Sequence, residues 1–212
     1  MISKTTKWFL SVYTLFLIVG AIVLFHLEKG DWVINLNQNR IHFADLFFKY
    51  WTHFGDGLFI LLLILIFLFV KYRYAIILIT ISAVQGILSF VLKRIVFTGS
   101  MRPKKYLEGI YELQLIDGVN VHSYHSFPSG HTMTAFSIAV FLCLISSRKV
   151  FGPLLFLYAL LVGVSRNYLS QHFFVDIYVG SILGVTVSIL VWILFRNKEK
   201  TDWLGGSLRD KF

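Results

Sequence analysis

The chain has 212 residues, 57% hydrophobic, 17% aromatic and 15% charged, and its mean hydropathy of +0.72 is that of a membrane protein, not a soluble domain. A net charge of +9 would suggest nucleic acid in a soluble chain, but here the cations crowd the short gaps between apolar runs, the positive-inside pattern, so no nucleic-acid partner is implied. The single cysteine, Cys143, excludes an internal disulfide and a cysteine metal site, and reads as a small apolar packing residue.

A helix needs about 20 mostly apolar residues to cross a bilayer. Six stretches are predicted to do so: Trp8–His26, Gly57–Val70, Tyr74–Leu92, Ser129–Ser146, Val150–Val164 and Phe173–Phe195. The first follows Lys4 and Lys7, as a signal peptide would, but it is long and no small-residue cleavage site follows it, so it reads as an uncleaved span. The second is short unless residues 54–56 extend it. Between these two, Phe43, Leu46, Phe47, Tyr50, Trp51 and Phe54 recur at helical spacing, with Asp45, Lys49, Thr52 and His53 between them. That pattern fits an amphipathic helix lying in the outer (periplasmic) interface, or a short helix packed on the bundle, and in neither case a catalytic element. The expected fold is all-α: a polytopic membrane protein, a six-transmembrane-helix bundle with a periplasmic interfacial helix. It is read as one domain over 1–212, with its motif-bearing core over about 74–195 and a flexible cytoplasmic tail over 196–212 in which Trp203 is a candidate interfacial anchor.

The charges set the expected orientation. Lys4 and Lys7, then Lys71 and Arg73, then Arg148 and Lys149, then Arg196, Lys198 and Lys200 fill alternate gaps, which are short and basic and hence cytoplasmic. Both termini are then inside. In a bacterium the remaining gaps face the periplasm or exterior from the cytoplasmic (inner) membrane.

Three polar groups fall on that outer face: Lys93-Arg94 followed by Arg102-Pro103; Pro128-Ser129-Gly130-His131; and Ser165-Arg166, His172 and Asp176. Each has a plain structural reading as well. Lys93 and Arg94 fit snorkelling cations at a helix end, and Ser129 fits a helix N-cap. Asp176 is harder to dismiss, because it is the only charged residue between Arg166 and Arg196 and sits just inside a span. His172 lies four residues before it, on the same helical face. A carboxylate beside an imidazole fixes its tautomer, the support that a histidine nucleophile or general base needs. Arg102, Arg166 and one of Lys93 or Arg94 suit a phosphoryl group, since guanidinium forks pair two phosphate oxygens at once. The N–H groups of Gly130 and its neighbours at a helix N-terminus, with the Ser129 hydroxyl, suit the same anion. Three fixed cations balance transferring charge without a metal, so a metal-independent site with no cofactor is expected. His122 and His125 read as ordinary loop residues, and the long loop 104–126 as a lid or head-group wall.

These residues resemble the type 2 phosphatidic acid phosphatase superfamily, which includes bacterial membrane lipid phosphatases and is related to the vanadium haloperoxidases. Its second block, Pro-Ser-Gly-His, stands intact at Pro128 to His131. Its third, Ser-Arg, five residues, His, three residues, Asp, stands intact from Ser165 to Asp176. Its first is Lys, six residues, Arg-Pro; here Arg102-Pro103 is present, but the position seven before Arg102 is Ile95, with Lys93 and Arg94 nine and eight before it. An enlarged turn around Thr98-Gly99-Ser100 is expected to absorb the difference. The resemblance implies that His172 is the nucleophile, Asp176 its activator and His131 the general acid and then base. It implies phosphate binding by Lys93, Arg102, Ser129, Gly130 and Arg166. The implied activity is hydrolysis of a lipid phosphate or diphosphate through a phosphohistidine. Undecaprenyl diphosphate is the leading substrate, with phosphatidylglycerophosphate, phosphatidic acid and lipid A phosphates as close competitors, and a lipid A phosphatase or phosphotransferase is the alternative. A proton- or ion-relaying transporter, with Gln85 and Gly86 near the centre of a span, is the distant one.

Overall fold

The computed structural model describes residues 3–196 and 202–211. The helices are α1 (Lys4–His26), α2 (Asp31–Gln38), α3 (His42–Trp51), α4 (Gly57–Val70), α5 (Tyr72–Val91), α6 (Pro103–Tyr106), α7 (Gly130–Ile145), α8 (Phe151–Tyr168), α9 (Phe174–Phe195) and α10 (Asp202–Gly205). Among the described residues there is no strand, only an isolated bridge between Met101 and Tyr124. Six apolar helices stand where six spans were expected. Among the described residues, however, α1, Tyr72–Val96 and α9 are the three that are individually long and apolar enough to cross a membrane, with the pair His42–Gly55 and Gly57–Val70, bent by 52°, as a fourth.

Residues 54–56 do not lengthen α4. The Asp56 carboxylate accepts the backbone N–H groups of Leu58 (2.9 Å) and Phe59 (3.1 Å), an N-cap that starts the helix at Gly57 and leaves Thr52–Gly55 as a 3-10 turn. Helix α3 is packed on the bundle along one side. Phe48 packs on Tyr168 of α8 with ring centroids 4.8 Å apart, while Phe43 and Tyr50 stay 75% and 64% exposed.

Helix α7 is the axis of the bundle. Ala135, Phe136, Ile138, Ala139, Val140 and Phe141 are all buried, which accounts for a helix apolar on every face. Small residues let α9 come against it: a Cβ at Gly184 would lie 2.4 Å from the Met133 carbonyl oxygen, and one at Gly180 would lie 2.8 Å from that of Ser129. The Ser137 hydroxyl crosses the seam to the Gly184 carbonyl at 3.0 Å, and Ser188 answers to the Ser137 carbonyl at 3.1 Å. Gln85, the polar residue that kept a transporter in view, reaches from α5 to the Met133 carbonyl (3.3 Å) and the Ser137 hydroxyl. Its amide is engaged in holding α5 to α7, which favours a packing role. Apolar side chains exposed on α1, α4 and α5, such as Leu15, Ile18, Leu58, Leu62 and Ile87, form the outer surface of the bundle.

The two ends of the bundle differ. At one, Thr5 donates to the carbonyls of Ser146 (3.1 Å) and Arg148 (3.0 Å), and Tyr72 N–H donates to Gly206 O (2.9 Å). The described part of the C-terminal tail is thus folded onto the start of α5 and buries Leu204, contrary to a freely flexible tail. Residues 197–201 and the side chain of Trp203, the candidate anchor, lie outside the described residues. The opposite end gathers the polar residues singled out above.

Gly184→Ala tests the close approach. The thermal midpoint in detergent is expected to fall by the equivalent of about 1–3 kcal/mol, while Gly99→Ala, where a Cβ would meet no atom within 4 Å, leaves it in place. An unchanged midpoint for Gly184→Ala contradicts the packing described.

Candidate active site

Four helix termini meet at this end: the ends of α5 and α8 and the starts of α7 and α9. Asp176 lies in the first turn of α9, where its Oδ2 accepts the Phe173 backbone N–H at 2.9 Å and so caps the helix. The same oxygen lies 3.2 Å from His172 Nδ1 and accepts the Ser126 hydroxyl. The Ser129 N–H donates to the Asp176 carbonyl at 3.0 Å, which ties the start of α7 to the start of α9. His172 itself is clamped from α8: its N–H donates to Arg166 O (3.1 Å), and its carbonyl accepts the buried Asn167 amide (2.8 Å).

With Nδ1 facing an acceptor-only carboxylate, the imidazole carries its proton there and keeps a lone pair on Nε2. Burial pushes the His172 imidazole below its ordinary range against the pull of the Asp176 hydrogen bond, which favours the neutral ring. A buried, neutral, oriented imidazole is the form in which histidine attacks or takes a proton.

His172 lines a cavity of about 550 Å³ together with Lys93, Arg102, Gly130, His131 and Arg166. Arg166 is 7% exposed; its Nη1 donates to Thr52 Oγ1 at 2.7 Å, while its buried Nε has no protein partner. Arg102 donates from Nε to Tyr124 O (3.0 Å) and from Nη1 to the Gln171 side chain (2.8 Å), and Gln171 in turn reaches Asn120 O (2.7 Å). Gly130 opens α7, and a Cβ there would meet no atom within 4 Å, so the backbone faces open space. The His131 ring has no protein hydrogen-bond partner among the described residues.

Two of the expected residues sit elsewhere. The Ser129 hydroxyl is fully buried, accepts from Thr132 Oγ1 (2.9 Å) and Thr132 N (3.4 Å), and caps α7 without lining the cavity. Lys93 and Arg94 part company on a π turn over Leu92–Val96: Lys93 faces this cavity, whereas Arg94 Nη1 meets His125 Nε2 at 2.9 Å outside it. That wide turn, followed by the turn Phe97–Ser100 (Ser100 N to Phe97 O, 3.1 Å), is where the extra residues between Lys93 and Arg102 are housed.

Sequence reasoning missed the second layer. Lys49, Thr52, His53 and Asp56, from the segment read as non-catalytic, form one wall of the cavity. Thr52 is 114 residues from the arginine it holds, and no local pattern announces it. Ser126 and Gln171 do carry a signal, since both lie beside or inside the motif blocks.

The sequence profile of the PAP2 superfamily matches residues 74–200, which include every residue of the three blocks. The chain belongs to the PAP2 superfamily. Within the superfamily it is similar to a lipid A 4'-phosphatase of Porphyromonas gingivalis, 30% identical over 111 residues, which are 52% of this chain and 46% of that protein. The matched stretch therefore spans about half the length of that relative. Among solved structures it is similar to Aquifex aeolicus LpxE, with a TM-score of 0.65 and 31% identity over 76% of this chain and 92% of the other. It is also similar to the first transmembrane PAP2-type phosphatidylglycerolphosphate phosphatase from Bacillus subtilis, with a TM-score of 0.52 and 26% identity over 91% and 98%. With these neighbours and its own apolar helices, this PAP2 protein is an integral membrane protein.

Proposed function

We propose that the chain hydrolyses a lipid phosphate or diphosphate by way of a phosphohistidine on His172. The observation that carries this reading is the 3.2 Å contact between His172 Nδ1 and Asp176 on the wall of a cavity that also holds Lys93, Arg102 and Arg166. Nε2 of His172 attacks phosphorus as the bond to the leaving oxygen breaks, and His131 gives that oxygen its proton. His131 then takes a proton from water, which attacks the phosphohistidine and releases inorganic phosphate. Lys93, Arg102, Arg166 and the Gly130 N–H take up the charge on the phosphoryl oxygens, with Ser129 setting the start of the helix that presents that N–H. Arg166 Nε, buried and without a protein acceptor, suits one of those oxygens.

Undecaprenyl diphosphate remains the leading substrate, with phosphatidylglycerophosphate, favoured by the Bacillus subtilis neighbour, a close competitor. The Porphyromonas gingivalis relative favours lipid A as the second reading. All three keep their chains in the bilayer and present phosphate at head-group depth, the depth of a site built from helix ends. We propose a six-span bundle with both termini cytoplasmic and the site outward, α3 lying at the interface. The placement of Lys71, Arg73, Arg148 and Arg196 at the end opposite His172 supports this orientation.

Purified protein in detergent, offered a panel of lipid phosphates, is expected to release phosphate, with His172→Ala and Asp176→Ala slower by about a thousandfold. Release by either variant at the parental rate would sink the mechanism. For orientation, Asn120→Cys in intact cells is expected to react with an impermeant thiol reagent and Arg148→Cys to be protected; the reverse pattern inverts the topology.

A further inference from the structure

Beside the His172 cavity lies a second one of about 460 Å³, and the two share Lys93, Arg102 and His122 as a common wall. The second adds Arg94 and His125, and no side chain lining it is acidic. Cations held this close repel one another unless an anion sits among them.

Arg94 is also positioned. Its Nη1 donates to His125 Nε2 at 2.9 Å, which requires the His125 proton to be on Nδ1. That Nδ1 in turn lies 3.1 Å from the Lys93 carbonyl, a bond only a protonated Nδ1 makes. The two bonds therefore agree on one neutral tautomer, and the imidazole acts as a bracket between Lys93 and Arg94. The rest of the Arg94 fork has no protein acceptor among the described residues. His125 achieves this with a φ of 59°, a left-handed conformation that non-glycine residues seldom adopt and that clusters at binding sites.

We infer that the second cavity receives a second phosphoryl group of the same substrate molecule. This rests on the phosphatase reading above and narrows it: the substrate's head group carries two phosphates, either joined as a diphosphate or as separate esters. One sits before His172, the other on Arg94, with Lys93 and Arg102 between them and shared by both. The adjacent cations Lys93 and Arg94 then have separate tasks and are not alternatives for one.

The test uses the purified full chain and two substrate pairs: a polyprenyl diphosphate against its monophosphate, and a bisphosphorylated glucosamine lipid against its monophosphorylated form. In at least one pair the parent is expected to favour the doubly phosphorylated lipid by about tenfold or more in kcat/KM, and Arg94→Gln to remove most of that preference through KM, as loss of a charge-assisted bond does. The pair that shows the preference tells whether the second phosphate is joined or separate. Inorganic pyrophosphate is likewise expected to inhibit the parent more strongly than inorganic phosphate, a difference that needs no variant to read. Equal kcat/KM within both pairs, or a preference that survives in Arg94→Gln, overturns the inference while leaving the phosphatase reading intact. Release from none of the four lipids overturns this inference, and fails the phosphatase reading too only if the wider lipid phosphate panel is inert as well.

Discussion

One carboxylate oxygen holds this end of the molecule together. Asp176 Oδ2 takes the Phe173 N–H that would otherwise be an orphan of α9, the Nδ1 proton of His172 and the Ser126 hydroxyl. A charged acceptor in a buried place is costly unless its lone pairs are filled, and here three donors from two separate stretches of chain fill them. The capping requirement of a membrane helix and the orientation of the His172 imidazole are thereby met by one atom. Moving α9 along its axis would move the His172 ring with it.

That arrangement depends on how closely the helices pack. α7 and α9 touch through Gly180 and Gly184 at distances that leave no room for a side chain, and their hydroxyl bonds run across the seam. In lipid, where burying apolar surface between helices gains little, such close contacts and internal hydrogen bonds are what fix register. Fixed register brings Gly130 and His131, at the start of α7, to the same cavity as His172, just before α9. Gly55 extends the principle to the 3-10 turn: a Cβ there would lie 2.8 Å from the His131 carbonyl oxygen, so the turn carrying Thr52 lies directly against the site.

Much of this was legible in the sequence, for physical reasons. Charge placement marked which helix ends share a face, because Lys and Arg between spans are a solvation constraint. The spacing of His172 and Asp176 announced their contact, although His172 stands just before α9 and meets Asp176 at the cap of that helix, not across one of its turns. What stayed hidden was non-local. Thr52 holding Arg166, Asn37 holding the loop 104–126 through Gln114 (2.9 and 3.0 Å) and Gln171 bridging Arg102 to Asn120 join stretches that no periodicity links. Ser129 was ambiguous for another reason, since a hydroxyl at a helix start serves equally as cap or ligand, and its burial beside Thr132 made it a cap. Lys93 and Arg94 were inseparable because both stand off the family spacing, nine and eight residues before Arg102, and it is a π turn that sets which of the two neighbours faces inward.

The covalent step at His172 is the centre of the proposed chemistry. Rapid mixing of the protein with a lipid radiolabelled in its phosphate, followed by alkaline quench and peptide mapping, measures that step directly. A label stable to alkali, lost in acid and located on the peptide carrying His172 is the predicted result, absent from His172→Ala and accumulating in His131→Ala wherever water attack becomes the slower half. Label on another residue, or brisk phosphate release with no labelled protein under any quench, would contradict it.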